Sequence, residues 1–121
     1  MSVLGWIAVG LLGGIAAAAR FALDAAVTAR RPGRLPLGIL LVNLSGALAL
    51  GIVAGAGLSG EGYTIVAGGA IGSFTTFSTW ILDSHRLAGA GRADLAWINI
   101  AVSLLAGFAA VALGHWLGGI I

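Results

Sequence analysis

Charged residues interrupt an otherwise apolar chain at ten positions: Arg20, Asp24, Arg30, Arg31, Arg34, Glu61, Asp83, Arg86, Arg92 and Asp94. Between them lie four uncharged runs, 1–19, 35–60, 62–82 and 95–121, of 19, 26, 21 and 27 residues. A hydrocarbon core of ~30 Å takes about 20 residues of helix to cross, so each run predicts one spanning helix. The expected spans are 3–22, 36–57, 62–82 and 95–118. A transmembrane barrel would need at least eight alternating strands of ~10 residues, a pattern the chain does not carry. The first run lacks a basic segment ahead of it, and Arg20 follows the apolar stretch, which predicts a retained span and not a cleaved leader.

Composition sharpens this picture. Of 121 residues 60% are hydrophobic and 8% charged, against about 25% charged in soluble domains. That excludes a water-soluble globule, and the apolar content excludes disorder. The length predicts one transmembrane domain over 1–121, all-α in class. With no Cys, disulfides, thiolate metal sites and cysteine nucleophiles are excluded. The expected loops are short: 28–36 with two Pro and a Gly, 58–62, and 85–94. Trp6, Tyr63, Trp97 and Trp116 fall near span ends, where an aromatic belt anchors helices.

Charge fixes an expected orientation. With four spans, loops 28–36 and 85–94 share one side, which carries Arg30, Arg31, Arg34, Arg86 and Arg92; the other side carries no Arg or Lys. The positive-inside rule places those loops in the cytoplasm and the termini outside. Gly38, Gly46, Gly51, Gly107 and Gly114 would let backbones approach closely, serving either oligomerisation or packing within one subunit.

The third span departs from a simple anchor. Gly68, Gly69 and Gly72 are weak helix formers, and five hydroxyls follow within seven residues: Ser73, Thr75, Thr76, Ser78 and Thr79. Irregular backbone at membrane depth is tolerated only inside protein or beside a wet cavity, so a helix break is expected here, with freed carbonyls suited to a small hard cation. The competing reading is a regular helix with packing glycines and hydroxyls bonded to preceding carbonyls. Phe77 and Trp80, three apart, would share a face, and a ring's positive edge can meet an anion. Asn43, and a stripe of Asn99, Ser103, Gly107, Ala110 and Gly114 at helical spacing, extend the polar path or act as helix–helix glue. Arg20 either snorkels to the interface or gathers anions in a vestibule.

No Asp, Glu or Lys lies deep in a span, as buried ion-coupling residues of transporters do. Nor does any residue set suit catalysis, so an enzyme is not expected.

The run Gly-Ser-Phe-Thr-Thr-Phe-Ser-Thr-Trp (72–80) followed by Asp83 resembles the third-span signature of the CrcB/Fluc fluoride channels. Pro-Leu-Gly-Ile-Leu-Leu-Val-Asn-Leu-Ser-Gly (36–46) resembles their second-span motif, Gly13-Gly14 with Arg20 the first, and Asn99, Ser103 and Gly107 the fourth. The resemblance implies a passive channel in the bacterial cell membrane that exports fluoride and so relieves its toxicity. It further implies an antiparallel dimer with two pores and a structural Na⁺, not transported, at the interface. By position, the backbone carbonyls of Gly72 and Thr75 would hold the Na⁺. Asn43, Phe77, Ser78, Thr79, Trp80 and Ser103 would line the fluoride pathway, with Arg20 at its mouth. Trp80 stands where a second Phe is usual, Ile39 where Thr is common, and Asn99 and Gly107 at positions that can carry pore hydroxyls.

Two alternatives stay open. These departures are compatible with a non-conducting subunit that completes a paralogue's pore, and the five-to-zero loop charge favours an oppositely inserted paralogue over a self-paired antiparallel dimer. A small four-helix drug transporter would need a membrane carboxylate, and residues 1–19 carry none.

Overall fold

The computed structural model describes residues 1–33 and 35–121; Arg34, one of the five loop arginines, lies outside them. Four helical stretches are long and apolar enough to cross a membrane, and the described residues contain no strand. The chain is a multi-pass membrane protein. Helix α1 is Val3–Arg30 and α2 is Leu37–Gly55. The third span is assembled from α3 (Gly60–Tyr63), a π-helix (Thr64–Ile71), α4 (Gly72–Phe74) and α5 (Ser78–Gly89), and α6 is Ala93–Gly119.

Two helix ends lie well beyond the expected spans. α1 runs on to Arg30 and absorbs Asp24 and Thr28, because nothing before Pro32 opposes helix: Pro disfavours α geometry in its predecessor, and Arg31 leaves the helix at φ −128°. Likewise α5 continues past Leu82 through His85 and Arg86 to Gly89. The chain then turns at Gly91, whose φ of +79° favours glycine. Charge ends the membrane segment; only Pro or Gly ends the helix.

Glycines decide how the spans meet. On α2 and α6, Gly51, Gly55, Gly114 and Gly118 bring two backbones together. A Cβ on Gly51 would lie 2.3 Å from the Val111 carbonyl oxygen, and one on Gly114 would lie 2.2 Å from that of Leu48. α1 packs on the π-helix at Gly69, where a Cβ would come 3.1 Å from the Val9 Cα. Gly38 seats Asp24, and Gly46 seats the Thr75 methyl. Four of the five glycines singled out in the sequence thus serve packing inside the subunit, while Gly107 faces open space.

The buried core is correspondingly thin, with Val42 at 0% exposure and Ile39 and Ala96 nearly so. Most large apolar side chains point outward, Trp6, Trp97 and Trp116 among them, as expected where lipid replaces water. Outside the bilayer segments, the Ser2 hydroxyl and backbone N–H both donate to one Glu61 oxygen, at 2.7 and 3.0 Å, tying the start of α1 to the start of the third span.

Candidate functional site: the break in the third span

The glycine-rich part of the third span remains helical but underwound. The Gly72 N–H reaches the Ala67 carbonyl, five residues back, and such π turns recur at functional sites. The chain leaves the helix three residues later, at 75–77, where Thr75 is extended (φ −79°, ψ 158°). Glycine explains the weak helix; it does not explain where the helix stops.

Asn43 on α2 does. Its Oδ1 accepts from the Thr76 N–H at 2.8 Å, and its Nδ2 donates to the Thr76 carbonyl at 2.9 Å. The side chain therefore takes both main-chain groups that the ladder would otherwise use, which is what irregular backbone in a membrane requires. The Thr76 hydroxyl then accepts from the Thr79 N–H at 3.2 Å, a side-chain cap on the first turn of α5. It also lies 3.2 Å from the Thr79 hydroxyl and 3.4 Å from that of Ser78. Thr76 is the hub of the break, a role that its place among five hydroxyls did not reveal.

The expected back-bonding is real but partial. The Thr75 hydroxyl donates to the Ile71 carbonyl at 3.1 Å, and Ser84 to that of Trp80 at 3.0 Å. Asn99, expected on the polar stripe, is buried and donates to the Ser84 hydroxyl at 2.9 Å. It joins α6 to α5 as helix glue, away from the break. Gly114 packs on α2, so the stripe divides and Ser103 alone of its polar members faces the site.

An open groove of about 320 Å³ runs along the break, lined by Asn43, Thr75, Thr76, Phe77, Trp80 and Ser103 against an apolar wall that includes Leu50 and Ile71. Phe77 is 71% exposed, and its ring meets Trp80 edge-on, with centroids 5.4 Å apart and planes at 78°. Ser78 and Thr79 do not line the groove; their hydroxyls meet that of Thr76, which does. Arg20 extends from α1 towards the break: its Nη1 lies 3.5 Å from the Thr75 carbonyl oxygen, a long and weak contact.

Two polar atoms here are left over. Among the described residues, Trp80 Nε1 and Ser103 Oγ are buried with no hydrogen-bond partner. Such orphans are rare, each costing roughly 1–3 kcal/mol, and an unsatisfied buried group calls for an explanation such as an unseen ligand.

The break also sorts charge. Because Thr76 donates to Asn43, the Gly72 carbonyl loses its helical donor, and the extended Thr75 turns its carbonyl out of the ladder. These oxygens sit at the negative end of a half-helix and suit a hard cation, whereas the amide-rich start of α5 suits an anion. The weak Arg20 contact leaves the Thr75 oxygen a lone pair to offer.

The profile of the family described as CrcB-like protein, Camphor Resistance (CrcB), matches residues 7–115. The chain belongs to the CrcB family. A fluoride-specific ion channel FluC 2 of Mycolicibacterium paratuberculosis is 40% identical over 116 residues, covering 96% of this chain and 95% of that protein. Symbiobacterium thermophilum has two CrcB relatives. Its FluC 2 is 46% identical over 108 residues (85% of this chain, 88% of that protein), and its FluC 1 is 36% identical over 121 (95% and 98%). The matched region of this CrcB chain takes in the whole break, from Arg20 and Asn43 through Trp80 to Ser103.

Proposed function

We propose that the chain is a subunit of a passive fluoride channel in the bacterial cell membrane, allowing the anion to leave the cytoplasm. The observation that carries this reading is the Asn43–Thr76 clamp, which holds a helix break beside a groove with unspent donors. Fluoride-specific relatives of nearly full length support the choice of anion.

A bare small anion entering low dielectric costs tens of kcal/mol by a Born estimate, so conduction requires close replacement of its water. Arg20 would raise anion concentration at the cytoplasmic mouth. Fluoride would then meet the free N–H of the Asn43 amide, the Ser78 and Thr79 hydroxyls, Ser103, and the positive edges of Phe77 and Trp80. Each contact is neutral and short-range, which keeps binding weak enough for release. No step calls for a buried ionisable group or a bond-making side chain, so the reading is a channel and not an enzyme.

The Gly72 and Thr75 carbonyls are the residues that would hold the structural Na⁺. Bound there, the ion would supply a static positive charge and brace the break. Two oxygens are too few for a hard cation, so a matching pair from a second, antiparallel subunit would complete the set. The open, 71%-exposed Phe77 fits the same arrangement, with the groove closed by a partner.

For that partner a paralogue is favoured. Arg30, Arg31, Arg34, Arg86 and Arg92 all fall on one side of the expected topology, a pattern that opposes dual insertion, and relatives named FluC 1 and FluC 2 occur together in one organism. A reporter fused to the N-terminus is expected to signal from outside only; comparable signals from both sides would overturn the fixed orientation.

Fluoride efflux from proteoliposomes, measured with an electrode, tests the main reading. The chain with its paralogue is expected to release fluoride but retain chloride, and to lose flux when Na⁺ is replaced by a large organic cation. Flux from the chain alone would establish self-pairing. Absence of fluoride selectivity in both preparations would refute the channel.

A further inference from the structure

Trp80 and Ser103 approach the groove from α5 and α6, and each brings a donor that the fold leaves unused. Other polar groups at the break are accounted for: Asn43 clamps Thr76, Thr76 caps Thr79, and Thr75 bonds to Ile71. Two unsatisfied donors on one groove are not needed for folding, since an apolar side chain at either place would remove the penalty. They are explained if an anion visits.

We infer that the Trp80 indole N–H and the Ser103 hydroxyl form a two-donor fluoride subsite, so that residue 80 acts by donating a hydrogen bond and not only through its ring edge. This rests on the fluoride-channel reading and names the atoms that would set its selectivity. The indole N–H is a donor with no acceptor capacity, so it can favour an anion and never a cation. The Phe77 and Trp80 rings meet at 78° with centroids 5.4 Å apart, so both sit at the same stretch of the groove. Both donor atoms are buried while their side chains line the groove, so donation entails a side-chain rotation towards it. That rotation exchanges an unsatisfied state for a satisfied one. A compact, strongly basic halide profits most from two converging donors, and a larger halide profits less because its charge is more diffuse.

The distinguishing readout is the indole itself. With ¹⁵N-labelled tryptophan in the full chain held in lipid nanodiscs, the Trp80 side-chain signal is assigned by its loss in Trp80→Phe. Sodium fluoride is expected to move that signal downfield, and sodium chloride to leave it in place. The signals of Trp6, Trp97 and Trp116 should not follow. Ser103→Ala should weaken the fluoride midpoint about tenfold, the size of one charge-assisted hydrogen bond, and Trp80→Phe should cut fluoride efflux by a similar factor while keeping the ring. A Trp80 signal indifferent to fluoride in a preparation that conducts would overturn the subsite and leave the channel standing. A shift without flux would support the subsite and count against conduction, and neither shift nor flux would overturn both.

Discussion

Asn43→Ala is expected to abolish fluoride efflux and to destabilise the protein at once. The substitution removes the 2.8 and 2.9 Å hydrogen bonds to Thr76 and strands one N–H and one carbonyl at membrane depth. Each stranded group costs about 1–3 kcal/mol, so for the two a total loss of roughly 2–6 kcal/mol is anticipated, less if the third span closes into a continuous helix. Either route ends the break: the chain unfolds, or Thr76 returns its N–H to Gly72. Thermal unfolding in detergent and efflux from proteoliposomes measure the two consequences separately. Wild-type efflux in the variant would mean that the break does not carry the ion path.

Phe77→Ile separates function from stability. The ring is largely exposed within the subunit, and its recorded partner is the edge contact with Trp80, worth about 0.5–1.5 kcal/mol. Little folding energy is at stake. Isoleucine keeps apolar bulk but has no positive rim, so efflux is expected to fall to the leak of empty vesicles while the unfolding temperature shifts only slightly. Undiminished efflux would remove Phe77 from the pathway. The two variants together distinguish a side chain that shapes the site from one that meets the ion.

Much of this architecture is legible in the residues because lipid enforces simple rules. Four uncharged runs must be four helices, and a hydroxyl-dense stretch after Gly68, Gly69 and Gly72 is a poor anchor; both features are present. The position of the break is not local information. It depends on Asn43 reaching Thr76 across 33 residues, and no window around 66–80 contains that partner. The helices outrun the expected spans for a related reason: Asp24, His85 and Arg86 are poor lipid-facing residues, yet a helix carries such residues readily in water. Helical spacing leaves Asn99 open between the polar path and helix–helix glue, and Ser84 on the adjacent helix decides for glue. Spacing shows which residues share a face, while the neighbour on that face decides what each one does.

Four glycines, Gly51, Gly55, Gly114 and Gly118, lock α2 against α6. α6 follows α2 with the whole third span between them, so the interlock cannot form until α6 has been made. Until α6 inserts, the small-residue furrow of α2 is without its mate, and a chain truncated before Gly114 would leave that furrow open. The α2–α6 seam is thus a late event in assembly, made only after three spans are already in place.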